Sequence, residues 1–383
     1  MRWLTAGESH GPQLTVVIEG VPAGLELGAE DLRRDLRRRQ GGHGRGGRQQ
    51  IEVDEARIAG GVRGGLTLGS PIALVLENRD HVNWVEQMTP AREGFVPTPV
   101  TRLRPGHADL AGVLKYGHDD VRNVLERSSA RETAARVAAG GVARKLLGRF
   151  GIRVLSFVQS IGPVDVGYDG VDPAALSEEE IEASPVRCPV PEAGERMVAE
   201  IDAAGARGDT LGGTFRVVAS GLPPGLGSYV HWDRKLDARL AMAVLSINAV
   251  KGVEFGAGFE GSARPGADFH DEIDYAGGRF HHLSNRAGGL TGGVTNGEPI
   301  DLRAALKPIS TMKKPMRSVD LASRERVDAH YERSDVCVVP AAGVIGEAMV
   351  ALTLADALLE KFGGDSVAEI ERNLRGFLAS IGL

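Results

Sequence analysis

Cysteine is nearly missing from this chain: 383 residues hold two, Cys188 and Cys337. That excludes a disulfide-stapled fold, and the pair lacks the close spacing of a zinc site. Cys337 falls in the apolar, strand-like run Val336–Val339, so its thiol is expected to be buried and inert. Ligand-spaced histidines are missing too. His81, His118, His231, His281 and His282 are scattered without an H-E-x-x-H pattern, and no metal is expected. Aromatic residues make up 5% of the chain and do not alternate with basic ones, while a net charge of -6 repels polyanions. No nucleic-acid partner is expected. No stretch approaches the ~20 apolar residues of a membrane span. The opening Met1-Arg-Trp-Leu-Thr-Ala-Gly-Glu8 contains no apolar signal region. These absences lead to the expectation of a cytoplasmic protein without membrane contact.

Glycine, by contrast, is in surplus: 52 residues, about twice the usual share of ~7%. Such a surplus points to tight turns and close backbone approaches. No Pro/Ser-rich linker or charge block divides the chain, and the segments Ser177–Glu182 and Pro189–Arg196 read as an excursion. Arginine is clustered although the protein is acidic. Arg33, Arg34, Arg37, Arg38, Arg39, Arg45 and Arg48 crowd one region in which Asp35 is the only acid. Residues 33–39 fit a helix ending at Gly41, with Leu32 and Leu36 as its buried stripe. At 100° per residue Arg39 falls about 20° from Leu32, whereas Arg34, Arg37 and Arg38 point away. A guanidinium on the buried side needs an anionic partner; the others are expected to be solvated. Gly42-His-Gly-Arg-Gly-Gly47 spells G-x-G-x-x-G, but it follows a helix and precedes the strand-like Gln49–Val53, the reverse of a dinucleotide fingerprint. A single glycine–arginine stretch is also too little for an RNA-binding RGG segment.

Arg127-Ser-Ser-Ala-Arg-Glu132 carries more information than any other stretch. Ser129 with Glu132 fits a capping box opening an alanine-rich helix that runs to Leu146 and Leu147. A helix mouth with free N–H groups, joined by Arg127 and Arg131, suits a phosphate or carboxylate ligand. Taken alone, a capped surface helix would explain it as well. The arrangement returns, however, as Arg333-Ser334-Asp335 before a second alanine-rich helix. Both helices close alike, in Leu146-Leu-Gly-Arg-Phe-Gly151 and Leu358-Leu-Glu-Lys-Phe-Gly363. Val16-Val-Ile-Glu-Gly-Val-Pro-Ala-Gly-Leu25 likewise matches Val217-Val-Ala-Ser-Gly-Leu-Pro-Pro-Gly-Leu226. Three matches in one order suggest a duplication, with halves at about 14–151 and 215–363 meeting around a shared site.

His10 lies in Gly7-Glu-Ser-His-Gly-Pro12 and His107 in Arg104-Pro-Gly-His-Ala-Asp109. Loop histidines beside arginines suit proton transfer around a phosphorylated substrate. Asp335 opens an apolar run, where desolvation alters a carboxylate's proton affinity. Lys307-Pro-Ile-Ser-Thr311 offers one cation and two hydroxyls to a terminal phosphate. Asn285-Arg-Ala-Gly-Gly-Leu-Thr-Gly-Gly293 has the glycines to lie against a planar cofactor, or is simply a turn.

Together these motifs resemble the chorismate synthase family over essentially the whole chain: Gly7–Gly11, Arg39–Arg48, Arg104–Asp109, Arg127–Glu132, Asn248-Ala249, 285–293, Lys307–Thr311 and Arg333–Pro340. No family motif is broken. The resemblance implies one domain over residues 1–383 with an α+β fold: central helices sandwiched between antiparallel β-sheets, with an internal pseudo-duplication. It implies 1,4-anti elimination of phosphate from 5-enolpyruvylshikimate 3-phosphate to give chorismate, with reduced FMN, no net redox change, and a homotetramer. His10 would protonate the departing phosphate. His107 would sit by the reduced flavin and set its protonation, and Asp335 would assist proton removal near the flavin N5 edge. Arg39, Arg45, Arg48, Arg104 and Arg131 would hold the phosphate and two carboxylates of the substrate. Arg127, Ser128, Ser129, Asn248, Ala249, Gly292, Lys307, Pro308, Ile309, Ser310, Thr311 and Arg333 would hold FMN. NADPH as reductant would fall at Arg39 and Arg45. The competing reading is an NADPH-dependent flavin oxidoreductase acting on an anionic substrate, which would consume NADPH in step with product.

Overall fold

A computed structural model describes residues 1–47, 52–331 and 335–383. A layer of helices lies between two antiparallel sheets, an α+β arrangement. Side-chain alternation makes the strands: in Gln13–Glu19, residues Leu14, Val16 and Ile18 are buried while Gln13, Val17 and Glu19 face out. That period of two belongs to a strand covered on one face.

In chain order, the first part consists of Arg2–Ala6 (β1), Gln13–Glu19 (β2), Ala29–Gln40 (α1), Ala56–Gly60 (β3), Ile72–Glu77 (β4), Arg122–Ser128 (α2) and Thr133–Arg149 (α3). The second contains Arg153–Ile161 (β5), Gly213–Ser220 (β6), Leu236–Leu245 (α4), Val250–Phe255 (β7), Ile300–Leu306 (β8) and Val339–Phe362 (α5). The sheets run β1-β2-β4-β3 and β7-β8-β6-β5, with Val164–Asp165 added beyond β5. Their registers correspond. Ile18 of β2 stands opposite Trp3 and Ile72, and Ala219 of β6 stands opposite Val154 and Ile300. The turns after β2 and β6 are locked alike. Thr67 Oγ1 donates to Pro22 O at 2.6 Å and accepts from Leu25 N at 2.9 Å. Thr295 Oγ1 donates to Pro223 O and accepts from Leu226 N, both at 2.8 Å. Val16–Leu25 and Val217–Leu226 thus occupy corresponding places, and each ββαββα unit also takes in the strand ahead of them, β1 or β5.

Helix α3 packs on the first sheet and α5 on the second. The two helices meet so closely that a Cβ on Gly140 would stand 2.3 Å from Ala348 Cβ, which only glycine avoids. One hydrophobic cluster runs through both units. The sheets differ in their outer faces. Phe157 and Val218 on the second are covered by Val171 and Ile181 of the excursion. On the first, Leu4 and Val17 pair across β1 and β2 while 71% and 41% exposed.

Several sequence expectations need correction. Val336–Val339 is not a strand: Cys337 makes one isolated bridge to Leu211, and α5 begins at Val339, because alanine and valine there are buried all round and helix satisfies their backbone internally. Glu52 and Val53 lie outside any strand, and Gln49–Ile51 fall outside the described residues. Although no run stood out in sequence as a membrane span, α5 is long and apolar enough by length and composition; 83% of its most apolar window is buried in the protein's own core. Cys337 is fully buried, and burial pushes its thiol up to about 11.

Candidate active site

The histidine of the first loop is held from three sides. His10 Nδ1 lies 2.9 Å from Glu126 Oε1, His10 N donates to Glu126 Oε2 at 2.8 Å, and the ring stacks 4.1 Å from Trp84. Glu126 sits on α2, where Arg122 one turn earlier donates to Oε1 at 3.0 Å. Burial alone would raise the Glu126 carboxyl, but His10 and then Arg122 outweigh it and hold it below its ordinary range. An ionised carboxylate only accepts, so Nδ1 carries the hydrogen. Nε2 has no hydrogen-bonding partner among the described residues.

His107 repeats the pattern. Its Nδ1 lies 2.5 Å from Asp109 Oδ1, while Arg104 donates from Nε at 2.9 Å and from its backbone N at 3.0 Å to Oδ2. Burial opposes the charge on Asp109, yet His107 and Arg104 hold its carboxyl well below the carboxylate range. Arg104 Nη2 also approaches His107 Nδ1 at 3.1 Å, but both nitrogens are donors, so this is contact rather than a hydrogen bond. Arg104, expected on the substrate, is therefore committed first to Asp109.

The arginine site lies between these loops. Arg39 donates from Nε to Thr133 Oγ1 at 3.0 Å, from Nη1 to Asp54 Oδ2 at 3.1 Å and from Nη2 to Ala130 O at 2.9 Å. Arg131 takes the other oxygen of Asp54 and donates from Nε to Asn78 Oδ1 at 2.9 Å. Both arginines are buried, as the leucine stripe required for Arg39. Burial, opposed by Asp54 but reinforced by Arg131 and Arg45, pulls Arg39 down to about 10. Arg45 pairs with Asp335 at 2.9 Å and leaves a buried Nε without a partner. Asp335 also accepts from Gly46 N at 2.5 Å.

Ser128 and Ser129 join these groups. Ser129 Oγ accepts from Ser9 Oγ at 3.1 Å and from Arg131 N at 3.3 Å. Ser128 O accepts from Asn248 Nδ2 at 2.9 Å. The next residue, Ala249, has φ of 70°, a left-handed conformation unusual for a residue with a side chain, and its carbonyl accepts from Lys307 N at 3.0 Å. Lys307 Nζ donates to Gly106 O at 2.6 Å, next to His107. Burial and the charge of Lys251 pull Lys307 below its ordinary value. In the same turn Ile309 O accepts from Thr210 Oγ1 at 2.8 Å, a Cβ on Gly106 would lie 3.5 Å from Ser310 Cβ, and Thr311 is buried. Hydrogen bonds thus run from Ser9, next to His10, through Ser129 to Arg131 and by way of Asp54 to Arg39, which feels the charges of the Arg45–Asp335 pair. Others tie Ser128 to Asn248, and Lys307 both to Ala249 and to Gly106 beside His107.

Other expectations fall away from this line. Arg127 closes α2 rather than opening α3, and its guanidinium donates to Gly7 O at 3.1 Å and Thr5 O at 3.0 Å. The capping box is not formed: Ser129 caps a 3-10 turn at Ala130–Glu132, and Glu132 accepts from Thr5 and Arg136, each at 2.8 Å. Gly292 lies in the hairpin between Leu290–Thr291 and Val294–Thr295, where the nearest non-neighbouring atom to an added Cβ is Tyr229 Cβ at 3.9 Å. Pro308 has no N–H to donate. Arg48 and Arg333 lie outside the described residues. Arg38, expected to be solvated, is buried and binds Glu347 with both terminal nitrogens at 2.8 Å. Helix α1 packs on α3 and α5, so its buried arc is wider than the leucine stripe and includes Arg38.

Sequence reasoning missed Glu126, Asp54, Asp109 and Lys251. Asp109 was signalled by its place two residues after His107, and Glu126 by its helical spacing from Arg122. Asp54 is joined to Arg39 and Arg131 only by the fold. A cavity of about 1030 Å³ lies among Arg144, Tyr168, Arg216 and Asp301, with Asn285 of the glycine-rich loop and Arg34 also on its wall; Arg216 already pairs with Asp301. A smaller one, about 470 Å³, reaches Trp84 and Arg122 beside His10.

Comparison with known proteins fits this geometry. The chorismate synthase family model matches residues 1–359. The chain is 58% identical to the chorismate synthase of Desulforudis audaxviator (strain MP104C), over 100% of this chain and 98% of the relative. It is 56% identical to that of Geobacter sulfurreducens (strain ATCC 51573 / DSM 12127 / PCA), over 99% and 98%. A crystal structure of chorismate synthase, 43% identical, superposes with a TM-score of 0.81 over 99% of this chain and 98% of the other. The chain belongs to the chorismate synthase family of lyases.

Proposed function

We propose that this protein eliminates phosphate from 5-enolpyruvylshikimate 3-phosphate in a 1,4-anti sense to form chorismate, with reduced FMN bound and no net redox change. The observation that carries the reading is His10, with Nδ1 tied to Glu126 and Nε2 unpartnered among the described residues, at the head of a line of buried arginines. Protonated at both nitrogens, His10 delivers its Nε2 proton to the departing phosphate. Arg45 and Arg39 bind the anionic groups of the substrate; Arg45 has a spare buried donor, and burial outweighs Asp54 and Asp335 at Arg39. Arg131 keeps Asp54 in place, and Asp335, oriented by Arg45 and Gly46, assists removal of the C6 proton.

The residues suit FMN. Lys307 and Lys251 stand close enough to depress Lys307, an arrangement that a phosphate relieves. Ser310 and Thr311 supply hydroxyls, while the left-handed Ala249 gives its carbonyl to Lys307 N and Asn248 ties Ser128 to the same place. When bound there, reduced flavin would supply the electron density that breaking the allylic C–O bond demands. His107 holds a proton on Nδ1 for Asp109 and presents Nε2 for exchange. NADPH, if it serves as reductant, meets Arg45 more readily than the committed Arg39. The exposed apolar pair Leu4 and Val17 on the first sheet suits an interface between copies of the chain, as the homotetramer implied by the family resemblance needs.

The test is an anaerobic assay with reduced FMN and the enolpyruvyl substrate, following phosphate release. Many turnovers per reduced flavin are expected. One flavin oxidised per product, or NADPH consumed in step with it, would replace this reading by a flavin oxidoreductase.

A further inference from the structure

Glu126 touches His10 twice, through the ring and through the backbone N–H, and so fixes both the loop and the imidazole it carries. The carboxylate is 3% exposed and carries Arg122 on its other side. Trp84 lies against the His10 ring, and His81 Nδ1 donates to His10 O at 2.9 Å, so the ring plane is set independently of any ligand. Asp109 stands in the same relation to His107, again buried and again with an arginine. His231 and Asp233 share that two-residue spacing, but their side chains are 61% and 56% exposed, and Arg234 acts on Asp233 through its charge without an ion pair among the described residues. Burial and the arginine, rather than a histidine next to a carboxylate, mark the two site pairs.

We propose that Glu126 is the positioning residue for proton delivery by His10, fixing the ring with its hydrogen on Nδ1 and leaving Nε2 to exchange the proton. This rests on His10 being the proton donor in the reaction proposed above. A carboxylate behind a histidine selects one tautomer and one ring orientation, and each of these is needed before a proton can be passed in line. Because Glu126 acts through His10, its removal should lower turnover without weakening substrate capture.

The test compares wild type, Glu126→Gln, His10→Ala and the double variant as full-length protein with reduced FMN, measuring kcat and KM for the enolpyruvyl phosphate substrate. Glu126→Gln should lower kcat roughly 10–100-fold, the usual effect of losing such a support, with KM changed by less than about threefold. In the His10→Ala background the same substitution should change kcat by less than about twofold, since its target is gone. Glu126→Asp, which keeps the charge, should recover part of the loss and serves where Glu126→Gln fails to fold. Equal losses in both backgrounds would make Glu126 a plain structural residue and overturn the proposal. So would wild-type kcat in Glu126→Gln while His10→Ala is impaired. Wild-type kcat in His10→Ala is the separate result that removes the His10 assignment and this proposal with it.

Discussion

Arg38 and Arg39 are neighbours on α1, both buried side chains, and they end in opposite electrostatic settings. Arg38 joins Arg144 and Arg187 around Glu347, whose oxygens also accept from Ser156 at 2.7 Å. Burial opposes the charge on Arg38, but Glu347, Asp35 and Glu182 outweigh it and raise its proton affinity. Around Arg39 the balance is reversed, with Asp54 shared between Arg39 and Arg131 and with Arg45 adding repulsion. In the first cluster carboxylates outweigh burial; in the second Asp54, Asp335 and Glu52 are also paired with the arginines, yet burial still outweighs them at Arg39. Buried arginines alone do not mark a ligand site; incomplete compensation of their burial does.

The comparison breaks most visibly at Glu347. Glu347→Ala leaves three buried guanidiniums without their central acceptor and should cost about 3–5 kcal/mol of stability in urea unfolding. Kinetic constants of the folded fraction should stay near wild type. A variant as stable as wild type would show that the cluster is solvated in solution. The same carboxyl gives a pH signature. Although burial opposes its charge, Arg38, Arg144 and Arg187 hold Glu347 down to about 2 from 4.5. A depressed carboxyl contributes stability above its unfolded value and loses that contribution as pH falls through the folded one. Stability should therefore decline between about pH 4.5 and 2, and Glu347→Gln should flatten that decline. An identical acid limb in the variant would assign the titration elsewhere.

The cluster around Arg39 should answer differently. Arg45→Ala removes a guanidinium with an unpartnered donor, so substrate capture should weaken by roughly 1.5–3 kcal/mol in kcat/KM, as for a lost charged hydrogen bond. Its urea midpoint should move far less than that of Glu347→Ala. Arg39→Ala should show both effects, because Arg39 also ties Thr133 and Asp54 in place. Unchanged capture in Arg45→Ala would remove that arginine from the site.

Much of this was legible in local sequence. Leucine spacing buried Arg39, and repeated words around Val16 and Val217 fell at matching registers. The loops carrying His10, His107 and Lys307 were readable because glycine, arginine and hydroxyls bunch within a few residues. Long-range pairing was not readable. Asp54 meets Arg131 across 77 positions and Arg38 meets Glu347 across 309, and nothing in either local pattern specifies the partner. The start of α3 was misread for a related reason. Glu132 fits a capping box by spacing, but Thr5 and Arg136 claim its oxygens once the first sheet packs against the helix.

The smallest predicted effect sharpens the contrast from outside both clusters. Arg34 lies on α1 four residues before Arg38, with its side chain 59% exposed and paired to Glu178 at 2.6 Å. Solvent screens such a pair, and its Coulomb gain is offset by the entropy of ordering a long side chain. Glu178 would not be abandoned either, since Arg38 and Arg144 remain within 3.5 and 3.6 Å. Arg34→Ala should therefore change stability by less than about 0.5 kcal/mol, and 1 M salt, with a Debye length of about 3 Å, should remove most of that difference. Its kcat/KM should match wild type, because the arginine is separated from Arg39 by the helix itself. If Arg34→Ala weakened capture as much as Arg45→Ala, the arginines of this region would be acting as one diffuse field. Placement on opposite sides of α1 would then carry no functional meaning.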